Sequence, residues 1–432
     1  MDGTSLVIVA AIFLVYATFS RRLSGTSITA PIVFVGAGFV FGAEGLGWLN
    51  LEASRHTVSA LAETTLVVVL FSDASRIDLP ALRREYSVPA RLLGIGLPLT
   101  IAAGAAVGAV VFPNVTWIEA IVLAIVLAPT DAALGQAVVT DEELPSRIRQ
   151  GLNVESGLND GLCVPLLAIA LAIAQTDSGA LSSAHAARLV VEAIGWGIFG
   201  GVVAAVVAAV ALRVGRARGW IEGHWVQVVP VVGAVAAFGI ADQLGGSGFI
   251  AAFVGGLLFG RLARPGANDA AFSEEIGGVL NGVTLIVFGA VVLAEAWSSI
   301  GLDDIVYAVL SLTLVRMVPV AIAMIGSRAR PPTVLFLGWF GPRGLASIVF
   351  GVVVIEEASL PHTSALVVAL TVTVAMSVVA HGVTAAPLAR RYAAWHAGAL
   401  APMESAPVPR QRWRHVRPHT GATGTRRGDV PH

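Results

Sequence analysis

The segment Gly151-Leu-Asn-Val-Glu155-Ser156-Gly-Leu-Asn159-Asp160-Gly-Leu-Cys163 crowds five polar side chains into eight residues of a stretch that is otherwise apolar through Ala174. Carboxylates, an amide and a hydroxyl in such a setting suit the binding of a cation or a proton, because a charge inside an apolar span is stable only with a partner or a polar cavity. On a helix, Ser156 and Asp160 share one face, while Glu155 and Asn159 share another about 100° round. One face can offer a hydroxyl and a carboxylate to an ion. The other can turn Glu155 toward an arginine, and Arg316 and Arg343 are the only deep cations in the sequence. An ion pair of this kind fixes two helices together.

Two further segments carry charge beside a helix breaker: Leu127-Ala-Pro129-Thr130-Asp131 and Gly338-Trp-Phe-Gly341-Pro342-Arg343-Gly344. Proline removes a backbone donor and clashes with the preceding turn, so both helices should be interrupted there. The two lie seven apolar runs apart, and an odd offset makes them antiparallel, the pattern of an inverted repeat whose broken helices cross near the bilayer midplane. Freed carbonyls at such breaks coordinate ions. Asp131 can offset the positive N-termini of half-helices and Arg343 the negative C-termini. Asp73 is a further deep carboxylate, whereas Glu63, Glu192, Asp242 and Glu295 fall near the ends of apolar runs and read as interfacial.

The elements that must hold these residues are membrane helices. Of 432 residues, 56% are apolar and only 13% charged, with a mean hydropathy of +0.81, against about 25% charged in soluble proteins. Each span needs about 20 apolar residues, and the chain supplies thirteen runs between residues 5 and 388, among them 58–76, 117–139, 151–175, 303–327, 332–355 and 364–388. Every basic residue is arginine, and the arginines follow alternate runs: Arg21, Arg22; Arg76, Arg83, Arg84, Arg91; Arg147, Arg149; Arg213, Arg216, Arg218; Arg261, Arg264; Arg328, Arg330; and the C-terminal tail. Cationic loops stay in the cytoplasm, which puts the N-terminus outside, the C-terminus inside, and Asp242, Asp303, Asp304 and Glu356 toward the outer face. Residues 391–432 read as a basic, disordered cytoplasmic tail. The expected fold class is an all-α polytopic membrane protein of about thirteen helices, with inverted repeats and two broken crossing helices. Nothing supports nucleic-acid binding. The nine histidines and the lone Cys163 show no zinc-ligand spacing, no phosphate-binding glycine loop is present, and neither a cofactor nor an enzymatic activity is expected.

In order and spacing these residues resemble the monovalent cation:proton antiporter-1 family, which holds prokaryotic sodium/proton antiporters and animal sodium/proton exchangers. Glu155-Ser156-x-x-Asn159-Asp160-Gly161 resembles its ion-site helix and Pro129-Thr130-Asp131 its unwound helix, with Ala132 standing where proline is usual. Gly341-Pro342-Arg343-Gly344, Arg316 and Ser247-Gly248-Phe249-Ile250-Ala251 are similar to other recurrent elements, and the likeness spans roughly residues 5 to 390. The resemblance implies that a monovalent cation, sodium first, or lithium or potassium, exchanges for a proton by competition at Asp160. Thr130, Ser156, Asn159 and Asp73 would supply further oxygens around the ion, and Glu155 would pair with Arg316. The Asn159-Asp160 order implies electroneutral one-for-one exchange.

The same resemblance implies a transmembrane domain over 1–390, with core helices at about 92–175 and 303–388, scaffold and dimerisation helices at about 5–76 and 223–297, and a linker helix at 188–212. It implies a homodimer in the plasma membrane of a prokaryote, with bilayer, cations and protons as its partners. Two other functions share these features. A sodium-coupled symporter of organic anions needs a roomy site with positive half-helix ends or an arginine for the anion, and a passive cation channel needs no paired inverted breaks.

Overall fold

In a computed structural model of the chain, the described residues are 3–23, 26–49, 55–77, 87–131, 133–139, 141–177, 182–263, 271–357 and 360–406. Within them the secondary structure is helical, with no strand. Apolar spans in lipid must satisfy every backbone group internally, and the α-helix does this within one segment. Nine helices among the described residues are long and apolar enough to cross a membrane, accompanied by four shorter apolar ones. The protein is a multi-pass membrane protein.

The first three helices are α1 (Gly3–Leu23), α2 (Ala30–Phe41) and α3 (Arg55–Arg76). A long helix α4 (Ser87–Val111) follows, and then α5 (Trp117–Val126) and the short α6 (Gln136–Val139). Next come α7 (Ser146–Asp177), α8 (Ser183–Ala217), α9 (Gly223–Gln243) and α10 (Gly248–Ala263). The rest are α11 (Phe272–Trp297), α12 (Leu302–Ala323), α13 (Pro331–Trp339), α14 (Leu345–Glu357) and α15 (Thr363–Ala397). Both expected interruptions are present: residues 127–135 separate α5 from α6, and residues 340–344 separate α13 from α14. They touch, since the Asp131 N–H donates to Pro342 O at 2.8 Å.

The start of α5 is fixed by a reciprocal cap. Thr116 Oγ1 accepts from the Glu119 N–H at 3.3 Å, and the Glu119 carboxylate accepts from the Thr116 N–H at 2.8 Å. Glu119 also accepts the His362 N–H at 2.8 Å, tying α5 to the loop before α15. On the other side of the molecule α10 lies against α3 at glycines: a Cβ at Gly256 would stand 2.9 Å from the Ala74 Cβ, and one at Gly260 would strike the Ser75 carbonyl. Backbones that approach this closely need small residues, and the contact sets the position of Asp73 on α3.

Several details depart from expectation. Helix α7 starts at Ser146 rather than 151, and Pro165 sits inside it without ending it. Helix α12 is broken at Thr313 (φ −110°, ψ −90°), three residues before Arg316, with Pro319 in the following segment. Residues 391–406, expected to be part of the tail, are described and packed. Helix α15 runs on to Ala397, and Glu404 is buried at 1% exposure, where it accepts from the Arg330 N–H at 2.9 Å and the Thr333 hydroxyl at 2.7 Å. A carboxylate at the N-terminus of α13 meets its unpaired N–H groups, which explains why this part of the segment docks. Arg83, Arg84, Arg264, Ala132 and the tail beyond 406 lie outside the described residues.

Candidate functional site

Asp160 and Ser156, one turn apart on α7, face a cavity of about 240 Å³, with Asp73 from α3 and Asp131 from the first break on its other walls. Three aspartates line one cavity. Asp160 Oδ1 has no hydrogen-bond partner among the described residues, so the cavity holds a buried acceptor that a bound cation or proton can satisfy. Like charges at this range in a low-dielectric interior repel strongly, and a cation or a proton among them relieves that repulsion. Among the described residues no three His, Cys, Asp or Glu side chains cluster closely enough to hold a metal ion. Oxygens for a bound cation must therefore come partly from hydroxyls, amides and backbone.

The cavity extends from Asp160 past Ser72, Asn153 and Asn281 to Arg76 and Glu274. Arg76 and Glu274 form an ion pair between the end of α3 and the start of α11. Both helix ends adjoin arginine-bearing connections, so the cavity runs toward the arginine-rich side. Sequence reasoning assigned none of these five residues to the site. The signal for Ser72 was present, next to Asp73, but Asn281 and Glu274 come from a helix whose polar face carries no motif.

Thr130 and Asn159 stand one layer behind the cavity. The Asn159 amide donates to Thr130 Oγ1 at 2.7 Å, and the Ser156 hydroxyl donates to Thr130 O at 2.5 Å. Thr130 belongs to the unwound stretch, whose carbonyls lack helical partners, so α7 supplies the hydrogen bonds that hold the break open. Asp131 does the same at the other end: its carboxylate accepts from the Ala133 N–H at 2.8 Å and, across the crossing, from the Leu345 N–H at 3.0 Å. It caps α14, a negative group at a positive helix N-terminus. Gly344 is needed for this contact, because a Cβ there would collide with the Asp131 carboxylate.

Glu155 turns away from the cavity, as the helical spacing requires, and meets Arg316 in a two-pronged ion pair at 2.6 and 2.8 Å, both side chains only 2% exposed. Arg343 is fully buried, and its guanidinium donates to Gly341 O at 2.7 Å, within the break it occupies. The Arg343 N–H donates to Ser377 Oγ at 2.6 Å. Ser377 in turn lies 3.1 Å from His381 Nδ1, and His381 Nε2 lies 2.9 Å from Trp339 O. With the proton on Nε2, Ser377 donates to Nδ1 and Nε2 donates to Trp339 O; with it on Nδ1, the ring instead donates to Ser377 O at 2.9 Å. His381 was not singled out in the sequence. Its spacing of four from Ser377 in an apolar run was the available sign.

A helical membrane bundle with two interrupted helices crossing beside a carboxylate-lined cavity has the architecture of an ion-coupled secondary transporter. The comparisons agree with it: the profile of the sodium/hydrogen exchanger transmembrane family matches residues 8–391, and the chain belongs to that family. It is 23% identical over 370 residues to the K(+)/H(+) antiporter NhaP2 of a Shewanella species, covering 80% of this chain and 59% of that protein. The chain thus spans about three fifths of the length of that relative. It is 27% identical over 425 residues to the Na(+)/H(+) antiporter NhaP of Pseudomonas aeruginosa, covering 90% of this chain and 96% of the relative. Among solved structures it superposes on the sodium proton antiporter MjNhaP1 of Methanocaldococcus jannaschii at pH 8 with a TM-score of 0.70, at 18% identity over 88% of this chain and 98% of the other.

Proposed function

We propose that the chain is a secondary active antiporter that exchanges a monovalent cation, sodium first, for protons across a prokaryotic plasma membrane. The observation that carries this reading is Asp160: a carboxylate with an unpartnered oxygen, on a cavity wall shared with Asp73, Asp131 and Ser156. A proton and a dehydrated cation exclude each other at that oxygen, and the exclusion couples the two fluxes. Asp160, Ser156 and Asp73 contact the ion directly; Thr130 and Asn159 shape the break beside it. Asn159 adds no charge, so one proton leaves for each cation and exchange is electroneutral.

The cavity gives access from the arginine-rich, cytoplasmic side. Exchange then requires the core helices to move against a dimeric scaffold, with the N-terminus outside and the C-terminus inside. The Glu155–Arg316 pair travels within the core and keeps two of its helices in register. An organic-anion symporter is disfavoured because Arg316 and Arg343 are turned away from the cavity, and its one arginine, Arg76, is paired with Glu274.

The test is cation-driven proton movement in proteoliposomes, adding sodium, lithium and potassium in turn with and without a clamped membrane potential. Voltage-insensitive proton movement with one or more of these cations is expected. Voltage-dependent exchange would overturn the one-for-one stoichiometry, and no proton movement with any cation would overturn the antiporter reading.

A further inference from the structure

A groove of about 480 Å³ opens between α12, α13 and α15, away from the ion cavity, and falls within the usual size range of ligand sites, about 300–1,000 Å³. Its walls are formed by Met317, Leu335, Trp339, Tyr392, Trp395 and Arg391, among other residues. Most polar groups of the aromatic walls are turned into the protein: Trp339 Nε1 donates to Thr384 Oγ1 at 2.9 Å, and the Tyr392 hydroxyl lies 2.8 Å from Thr333 Oγ1. Ring faces are therefore what the groove presents. Leu335 on its edge is 59% exposed, as befits a wall that faces lipid.

The exceptions sit together at one end. The Arg391 guanidinium and Trp395 Nε1 have no hydrogen-bond or ion-pair partner among the described residues, and they are four apart on α15, on one helix face. Pro332, which follows Arg328 and Arg330 of an arginine-rich connection, lines the same groove. No carboxylate lines the groove, and nearby Glu404 is buried against Thr333. Two donors without a protein partner, one cationic, beside an apolar slot of aromatic rings match a phosphate above an acyl chain.

We infer that this groove is a binding site for an anionic phospholipid of the arginine-rich leaflet, its phosphate held by Arg391 and Trp395 and one acyl chain lying between Trp339 and Trp395. Charge decides among the candidates for this slot. The basic tail beyond residue 406 has the same sign as Arg391, whereas an anionic headgroup complements it. The deep end of the groove is formed by Met317 and Phe340, the immediate neighbours of Arg316 and Gly341. A bound chain thus lies against Phe340, the first residue of the second break.

The test uses the full chain in phosphatidylcholine vesicles doped with phosphatidylglycerol or phosphatidylcholine bearing a photoactivatable acyl chain, followed by mapping of labelled peptides. Phosphatidylglycerol is expected to label residues 331–340 and 388–395 about fivefold more than phosphatidylcholine, the ratio that one interfacial arginine supplies. Arg391→Gln is expected to lower phosphatidylglycerol labelling to the phosphatidylcholine level while leaving the latter unchanged, which also shows that the groove is still formed. Trp395→Phe, which keeps the ring, is expected to give a smaller loss. Equal labelling by the two lipids, or a preference that survives Arg391→Gln, would overturn the site. Labelling that appears only after removal of residues 407–432 would also overturn it, assigning the groove to the chain's own tail.

Discussion

Residues 127–135 and 340–344 interrupt two antiparallel helices and meet at the Asp131–Pro342 hydrogen bond, yet their surroundings differ. The first break is half open: Asp131 and Ala133 line the cavity, and the polar groups that hold the break come from α7, the helix of Asp160. The second is closed. Phe340 through Gly344 are all buried, and their polar contacts run to Arg343 itself and to Ser377 and His381 on α15. Two segments that occupy equivalent places in an inverted repeat have thus divided the work. One borders the carboxylate-lined cavity, and the other is packed inside the protein.

If this division is right, variants near the first break change transport and variants near the second change stability. The largest effect belongs to Asp160→Asn, which is expected to bring exchange to background while the protein still assembles and elutes as the wild type does. Wild-type exchange by a well-folded variant would remove Asp160 as the carrier. Next is Glu155→Ala, which leaves the Arg316 guanidinium buried without its partner and is expected to cost about 3–5 kcal/mol of stability, read as a large fall in thermal midpoint. Unchanged stability would show that the pair is ornamental to the fold.

His381→Ala, at the second break, removes one of the two donors of Trp339 O, which keeps the Gly341 N–H, and takes the imidazole from the Ser377 hydroxyl. A loss of about 1–3 kcal/mol is expected, with the cation KM of the folded fraction unchanged; a raised KM would erase the distinction between the breaks. The smallest stability effect is expected for Asp131→Asn, which keeps an acceptor for the Leu345 N–H but loses its charge at the α14 N-terminus, about 0.3–1 kcal/mol. Its signature is instead a higher cation KM, because it removes one of the three aspartate charges from the cavity.

Much of this arrangement was legible in the sequence because lipid makes charge expensive. A carboxylate or arginine deep in an apolar run has few reasons to be there, so Asp73, Asp131, Glu155, Asp160, Arg316 and Arg343 stood out without a structure. Helical spacing then separated Asp160 from Glu155, and the structure puts them on the cavity side and the ion-pair side respectively. Proline and glycine marked both breaks. Neutral polar residues were harder to read. Ser377 and His381 look ordinary within the run 364–388, and their role emerges only when α15 lies against a break whose donors and acceptors need partners.

Which oxygens face the cavity was likewise beyond sequence pattern. Thr130 and Asn159 belong to the right motifs, but their hydrogen bond to each other places them behind the wall. The docking of Glu404 was also hidden, since a single acid in a Pro- and Arg-rich tail gives no sign that it will cap a helix more than seventy residues earlier.

The most direct test of competition at Asp160 is the apparent cation KM of the wild-type chain in proteoliposomes, measured as a function of pH at equal pH on both sides of the membrane. If proton and cation exclude each other at one carboxylate, the apparent KM rises in proportion to proton concentration on the acid side while the maximal rate is unchanged. A KM that does not vary with pH would mean that the two ions bind at separate places, and the coupling assigned to Asp160 would be wrong.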